Sequence, residues 1–395
     1  MLQYAVNINV KYGVGVLDQL GELAKPYGKR ACVVMDPFFR GGEYETRVKD
    51  LLTAQDIDSV FYSDFRSDPD CTDVDKCVAF VLAEGCDFII AFGGGSCIDM
   101  SKATAVVAKN GGCCWDYCGA RRENGVIEPL RRPEKGKVPL VAIPTTSGTG
   151  SEANCGAVIS NRELEIKTGI GAPCIFPELS LVDPALTVNL PPKQTAFTGF
   201  DAFSHAFESY MLDTTSSFSE ALALQSIRYF GKSYIKTVKD GSDLEARTDM
   251  AMCSSLAGIN LALTDTSVGH ILGQPLSAYF HMPHGATLAV TLDTIVDWIF
   301  PNGEEKLANV AVAIDPSLSQ LPRREQAASL SGLLRKLKKE AGIDQTLSHY
   351  GVTEADFPRI LDYVERNLGM DCPLFKQYAR VATREDLEQI LRASL

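Results

Sequence analysis

No apolar run in this sequence approaches the roughly 20 residues that a membrane-spanning helix needs. The opening stretch, Met1-Leu-Gln-Tyr-Ala-Val-Asn7, lacks the basic start and apolar core of a secretory signal. Positive charge is also in short supply: 38 Lys and Arg stand against 50 Asp and Glu, for a net charge of -12. Such a surface repels phosphate backbones and anionic lipid, so neither nucleic-acid nor membrane partners are expected. The 12 cysteines are scattered, and the densest group, Cys113, Cys114 and Cys118, lacks the paired Cys-x-x-Cys spacing of a structural zinc site. Reduced thiols in a cytoplasmic protein are the expectation. The three clustered ones read as small packing residues, with a regulatory or metal-binding thiol as the other reading.

What is present begins with length. A chain of 395 residues is long for one core, so two domains are expected. The first half alternates buried strand patterns, Arg30–Met35, Asp87–Phe92 and Val138–Ile143, with amphipathic stretches such as Asp73–Glu84. That alternation predicts a mostly parallel sheet covered by helices, with ligands beyond the carboxyl ends of the strands. From about Pro191 the strand patterns stop and helical ones follow: Thr195–Leu212, Ser219–Tyr234, Leu244–Leu263 and more to Leu395. The proline-rich stretch 182–192 reads as a boundary. The expected division is an α/β domain over 1–188 and an all-α domain over 189–395. The polar stretch from Gly119 to Lys137 reads as an exposed loop.

Three features in the first half suit a phosphate or a ribose. Gly93-Gly94-Gly95-Ser96 follows a predicted strand and opens a helix, where glycine lets the backbone approach an anion and the new helix aims N–H groups at it. It is not the common G-x-G-x-x-G fingerprint, and glycine there equally serves close packing. Pro144-Thr-Thr-Ser-Gly-Thr-Gly-Ser-Glu152 also follows a strand and is rich in hydroxyls, or is simply a flexible loop. Asp36 ends the first clear strand, where a carboxylate accepts hydrogen bonds from ribose hydroxyls or merely caps a turn.

Histidine occurs only five times, at 205, 270, 281, 284 and 349. Asp201 and His205 lie four apart on a helical pattern whose apolar stripe is Phe200, Phe203 and Phe207, so they share a face, which Glu208 continues. That spacing suits a shared divalent ion or an ordinary hydrogen bond. His270 lies on another helical run, and Pro283-His284-Gly285 reads as a turn opening the next helix. One Asp and three His would make a nitrogen-and-oxygen site for Fe(II), Zn(II) or a similar ion.

Together these motifs resemble the iron-containing (group III) alcohol dehydrogenases. The matches are Gly93-Gly-Gly-Ser-x-x-Asp99, Pro144–Glu152, Gly199-x-Asp-Ala-x-x-His-Ala-x-Glu208, and His270 with Pro283-His-Gly285, in the family's order. Beyond about Ile295 the chain matches only in being helical. The resemblance implies the two-domain fold shared with dehydroquinate synthase, with a dinucleotide-binding domain, a helical metal-binding domain and the active site in the cleft between them. It implies Asp201, His205, His270 and His284 as ligands of one divalent metal, Fe(II) ahead of Zn(II). It also implies Asp36, Gly94, Gly95, Ser96, Asp99, Thr145, Thr146, Thr149 and Lys167 as the dinucleotide-binding set, and a homodimer. With Asp36 at the adenosine ribose, NAD(H) is expected over NADP(H), since a carboxylate repels a 2′-phosphate.

The resulting expectation is an alcohol dehydrogenase or aldehyde reductase in which the metal is a Lewis acid for the substrate oxygen. The sequence departs from the family at Gln274, where many relatives carry a second histidine close to the nicotinamide. Gln274 is kept as a candidate catalytic-site residue, but an amide cannot relay a proton. Two other readings remain. One is a dehydroquinate synthase-like lyase using NAD and a metal, which would favour a Glu/His/His set. The other is a non-catalytic binding protein on the same fold, against which the complete ligand set argues.

Overall fold

The computed structural model describes residues 6–121, 126–370, 372–377 and 380–395. Residues 1–5 of the opening stretch and residues 122–125 of the polar 119–137 stretch lie outside the described residues. The chain divides into two compact units: Met1–Thr146 with Ser151–Thr187, and Ser147–Gly150 with Val188–Leu395.

In the first unit, six strands among the described residues form one parallel sheet: β1 (Val10–Tyr12), β2 (Arg30–Met35), β3 (Asp58–Tyr62), β4 (Phe88–Gly93), β7 (Leu140–Pro144) and β10 (Leu179–Val182). Between β4 and β7 comes a two-residue ladder, β5 (Ala120–Arg121) with β6 (Ile127–Glu128), inside the stretch expected to be loop. Between β7 and β10 comes an antiparallel hairpin, β8 (Gly156–Asn161) with β9 (Ile166–Gly171). The helices are α1 (Leu20–Ala24), α2 (Glu43–Thr53), α3 (Cys71–Ala83), α4 (Gly95–Asn110) and α5 (Cys114–Tyr117).

Strand alternation sorts the central residues into two cores. Cys32, Val34, Ile89, Ala91, Leu140 and Ala142 join α3 and α4 on one face. Ala31, Val33, Met35, Phe88, Ile90, Phe92, Val141 and Ile143 join α1 and α2 on the other. This two-sided burial is why β2, β4 and β7 read as continuous apolar runs. No disulfide joins the cysteines; Cys114 and Cys118 are buried packing residues and Cys113 is exposed.

The sheet order is β1-β10-β7-β4-β2-β3. From β2 the chain steps outward to β3, then returns to β4 on the other side of β2. The winding therefore reverses between β2 and β4, and the carboxyl end of such a switch point is where open α/β sheets hold ligands. Asp36 directly follows β2, and the glycine turn directly follows β4.

The second unit is built from α6 (Pro192–Met211), α7 (Ser217–Lys239), α8 (Leu244–Leu263), α9 (Val268–Phe280), α10 (His284–Ile314), α11 (Arg323–Glu340), α12 (Phe357–Asn367) and α13 (Arg384–Ala393). The all-helical expectation needs one addition, a short antiparallel ladder of β11 (Lys376–Gln377) and β12 (Arg380–Val381). The core of this unit is centred on α6, whose Phe200, Phe203 and Phe207 are fully buried. Phe203 stacks on Phe230 of α7 with ring centroids 4.6 Å apart. That apolar stripe fixes the rotation of α6 about its axis and hence the direction in which Asp201 and His205 point. No helix among the described residues is long and apolar enough to cross a membrane.

Candidate metal and dinucleotide sites

Asp201 and His205 project from α6, His270 from the first turn of α9, and His284 from the first position of α10. One ligand atom from each lies within 4.8 Å of all the others. Asp201 Oδ1 is the hub, 3.7 Å from His205 Nδ1, 3.8 Å from His270 Nε2 and 3.5 Å from His284 Nε2. The His205 and His270 rings stack with centroids 4.5 Å apart. Asp201, His205 and His270 are buried, whereas the His284 side chain is 36% exposed, so the cluster opens on the His284 side.

The electrostatics of the cluster follow from that packing. Burial alone would raise the Asp201 pKa, but the three imidazoles outweigh it and hold the carboxyl well below the usual range. Burial pulls His205 down. Burial also works against a charged His270, yet the Glu208 and Asp201 carboxylates push it up to about 9. Asp201 Oδ1 and His270 Nε2 are buried and, among the described residues, have no hydrogen-bond partner. Buried polar atoms left unsatisfied are costly, and a cation bound between them would offset that cost. One carboxylate and three imidazoles therefore fit a borderline divalent metal in both geometry and donor type.

Glu208, read from sequence as continuing the Asp201/His205 face, turns elsewhere. Its carboxylate accepts the N–H of Ser267 at 2.5 Å and the N–H of His270 at 3.2 Å, and lies 2.8 Å from His270 Nδ1. Another contact invisible in the sequence is the Gly148 carbonyl oxygen, 3.4 Å from His205 Nδ1. Gln274 is half-buried on α9, one turn beyond His270, and is followed by Pro275 inside the helix. His281 ends α9 in the left-handed region, with φ of 53°, and is exposed.

In the first unit the dinucleotide candidates fall into two groups. At the switch point, Asp36 receives the Phe38 N–H at 3.0 Å, and Gly94 caps α4, whose first turn holds Gly95 and Ser96. Thr145 donates its N–H to Gly93 O at 3.0 Å, and a Cβ on Gly94 would stand 3.3 Å from the Thr146 methyl. Ser96 accepts the Asp68 N–H at 3.1 Å, and Asp68 in turn pairs with Lys167 of β9 at 2.6 Å. Asp99 lies deeper. It accepts the Ser151 hydroxyl at 2.5 Å and the Val158 N–H at 2.9 Å, which fastens the loop after β7 and the start of β8. Beside it the buried Lys102 ammonium donates to Ser151, Asn154 and Gly156 O. Thr149 belongs to the short stretch Ser147–Gly150, which clusters with the second unit.

Comparison with known proteins gives one answer from three directions. The family model described as iron-containing alcohol dehydrogenase matches residues 8–184. The model for the carboxyl-terminal part of the Fe-containing alcohol dehydrogenase family matches residues 195–395, so the likeness extends through the helical tail, past the Ile295 limit read from sequence. The chain is 33% identical over 344 residues to long-chain-alcohol dehydrogenase 1 of Geobacillus thermodenitrificans, covering 87% of this chain and 85% of the relative. It is 32% identical over 362 residues to 1,3-propanediol dehydrogenase of Klebsiella pneumoniae, covering 91% of each. Among solved structures, that of an archaeal halo-thermophilic alcohol dehydrogenase from a Red Sea brine pool superposes with a TM-score of 0.90, at 29% identity and full coverage of both chains.

Proposed function

Because this chain belongs to the iron-containing alcohol dehydrogenase family, whose members are oxidoreductases acting on CH–OH groups, we propose that it moves a hydride between NAD(H) and a small alcohol or aldehyde. One divalent metal, Fe(II) ahead of Zn(II), is held by Asp201, His205, His270 and His284. The observation that carries this reading is the convergence of those four ligand atoms within 4.8 Å. Residues 1–188 serve as the dinucleotide-binding domain and 189–395 as the metal-binding domain, and the active form is a cytoplasmic homodimer.

When bound, the metal supplies a Lewis acid that polarises the substrate oxygen. The chain's own residues do the remaining work. Asp201 contributes the one negative charge among the four ligands. The exposure of His284 supports substrate entry from its side. Gly94, Gly95 and Ser96, with Thr145, Thr146 and Thr149, hold the dinucleotide through backbone N–H groups and hydroxyls. Asp99 acts behind them by fixing the loop after β7, and Lys167 acts beside the ribose. Asp36 selects NAD(H) because its carboxylate accepts ribose hydroxyls and repels a 2′-phosphate. Gln274 orients substrate or water but takes no proton, so the proton released in alcohol oxidation passes to water, a ribose hydroxyl or His281.

The relatives named above are named for a long-chain alcohol and for 1,3-propanediol, which supports an alcohol or aldehyde as the substrate class. The test is a panel of aldehydes, simple, diol-derived and anionic, offered with NADH to metal-loaded protein. Turnover of at least one is the expected result, and bound metal without turnover on any would revive a non-catalytic binding role.

A further inference from the structure

Glu208 is completely buried on α6, close to His205, yet its carboxylate does not join the four converging groups. Oε2 lies 2.8 Å from His270 Nδ1 and accepts the Ser267 N–H, while Oε1 accepts the His270 N–H. A single carboxylate thus closes the amino terminus of α9 and grips the ring of the histidine that α9 carries. The fit is tight. A Cβ on Gly269, between those two residues, would stand 2.2 Å from Glu208 Oε1, so the carboxylate fills the space that any other side chain at 269 would need.

We propose that Glu208 is a positioning residue that sets the affinity of the cluster for a divalent cation by acting through His270. The inference rests on the reading of Asp201, His205, His270 and His284 as metal ligands. A neutral imidazole has one N–H and one lone pair, and the partner of one nitrogen decides which is which. A carboxylate accepts only, so in the neutral form of His270, the form that binds a cation, it fixes the hydrogen on Nδ1 and leaves the Nε2 lone pair directed at the cluster. Nε2 is the buried atom with no hydrogen-bond partner among the described residues. The two backbone N–H groups hold the carboxylate itself, so ring, helix terminus and acceptor form one rigid unit. Partners of this kind typically change metal affinity by about 10–100-fold.

The test is zinc ion alone, titrated into metal-depleted full-length protein against a chromophoric chelator. Wild type, Glu208→Gln, His270→Ala and the double variant are compared, with the melting temperature of each metal-free protein recorded. Glu208→Asp, which keeps the charge but withdraws it by one methylene, serves if the glutamine variant does not fold. The expected result is a loss of about 10–100-fold in zinc affinity for Glu208→Gln, and no further loss when that change is added to His270→Ala. A merely structural cap would instead cost the same in both backgrounds, and that result overturns the proposal. Tight zinc binding by wild type with unchanged affinity in Glu208→Gln also overturns it while leaving the ligand assignment intact. Unchanged affinity in His270→Ala overturns the ligand assignment and the proposal together.

Discussion

Gly258 of α8 and Gly150 meet backbone to backbone: a Cβ on Gly258 would stand 2.2 Å from the Gly150 carbonyl oxygen. Gly150 itself has φ of +58°, and its N–H is accepted by the Ser254 hydroxyl at 3.2 Å. The stretch Ser147–Gly150 is thereby seated on α8, with the Gly148 carbonyl close to His205. Gly258→Ala should force the two backbones apart. Overpacking of this kind costs about 1–3 kcal/mol, read as a lower melting temperature. Thr149 rides on the same stretch, so KM for the dinucleotide should rise in the same variant. A Gly258→Ala protein with unchanged stability and KM would show that this contact is dispensable.

Asp36 carries the prediction on cofactor choice. Its place at the carboxyl end of β2, beside the glycine turn, suits a ribose. Wild type should show higher kcat/KM with NADH than with NADPH, and Asp36→Gly should narrow or reverse that ratio. A wild-type preference for NADPH contradicts the role given to Asp36.

Asp70 yields a prediction on stability and pH. It caps α3, accepting the Thr72 N–H at 3.0 Å and hydroxyl at 2.7 Å, and its second oxygen accepts the Arg162 N–H at 2.9 Å. Burial works to raise its pKa, but these hydrogen bonds prevail and hold it below the ordinary value. With the folded pKa depressed, the contribution is fully present above the unfolded value, near pH 4, and is lost as pH falls through the folded one. Asp70→Ala should therefore cost about 1–2 kcal/mol near neutrality. The gap to wild type should shrink in urea denaturation repeated at roughly pH 3. An equal gap at both pH values would contradict the ionic origin of the effect.

How much of this was legible beforehand depends on what each feature needs. β2 was readable to its last residue because both faces are buried and the run is unbroken, and α8 because its pattern ends where Thr264 leaves the helix. β1 and β10 are too short to show a period, and β3 begins Asp58-Ser59 at the sheet edge, where burial is partial. The β8–β9 hairpin is not evident from sequence: Ala157 and Ile159 flank the exposed Val158, but Ser160 is buried as well, and Gly156, Gly169 and Gly171 further mask the pattern. At the metal cluster, Asp201 and His205 are tied by helical spacing, whereas nothing local links them to His270 or His284; the scarcity of histidine suggests grouping them, and the family pattern supplies the pairing. The direction of Glu208 was beyond reach, since it is set by where α9 begins.

Gln274 distinguishes orientation from proton transfer. If it orients substrate, Gln274→Ala should lower kcat roughly tenfold, the equivalent of about 1.4 kcal/mol and one hydrogen bond. Gln274→His should introduce an ionisation between roughly pH 6 and 7 that wild type lacks at this position. The comparison is kcat against pH for these two variants, wild type and His281→Ala. An inflection near neutrality that disappears in Gln274→Ala but persists in His281→Ala would contradict the assignment, because a glutamine cannot be its source.

The central claim is that Asp201, His205, His270 and His284 hold the metal on which turnover depends. The direct measurement is metal content together with NADH-dependent aldehyde reduction, in protein as purified, after chelation, after reloading with Fe(II) or Zn(II), and in His270→Ala and His284→Ala. The account predicts about one metal per chain, as a single ligand set of this kind holds one ion. It further predicts that activity is lost on chelation and restored on reloading, and that both occupancy and turnover fall in each variant. Full occupancy and full turnover in His270→Ala, or undiminished turnover after the metal has been removed, would contradict it.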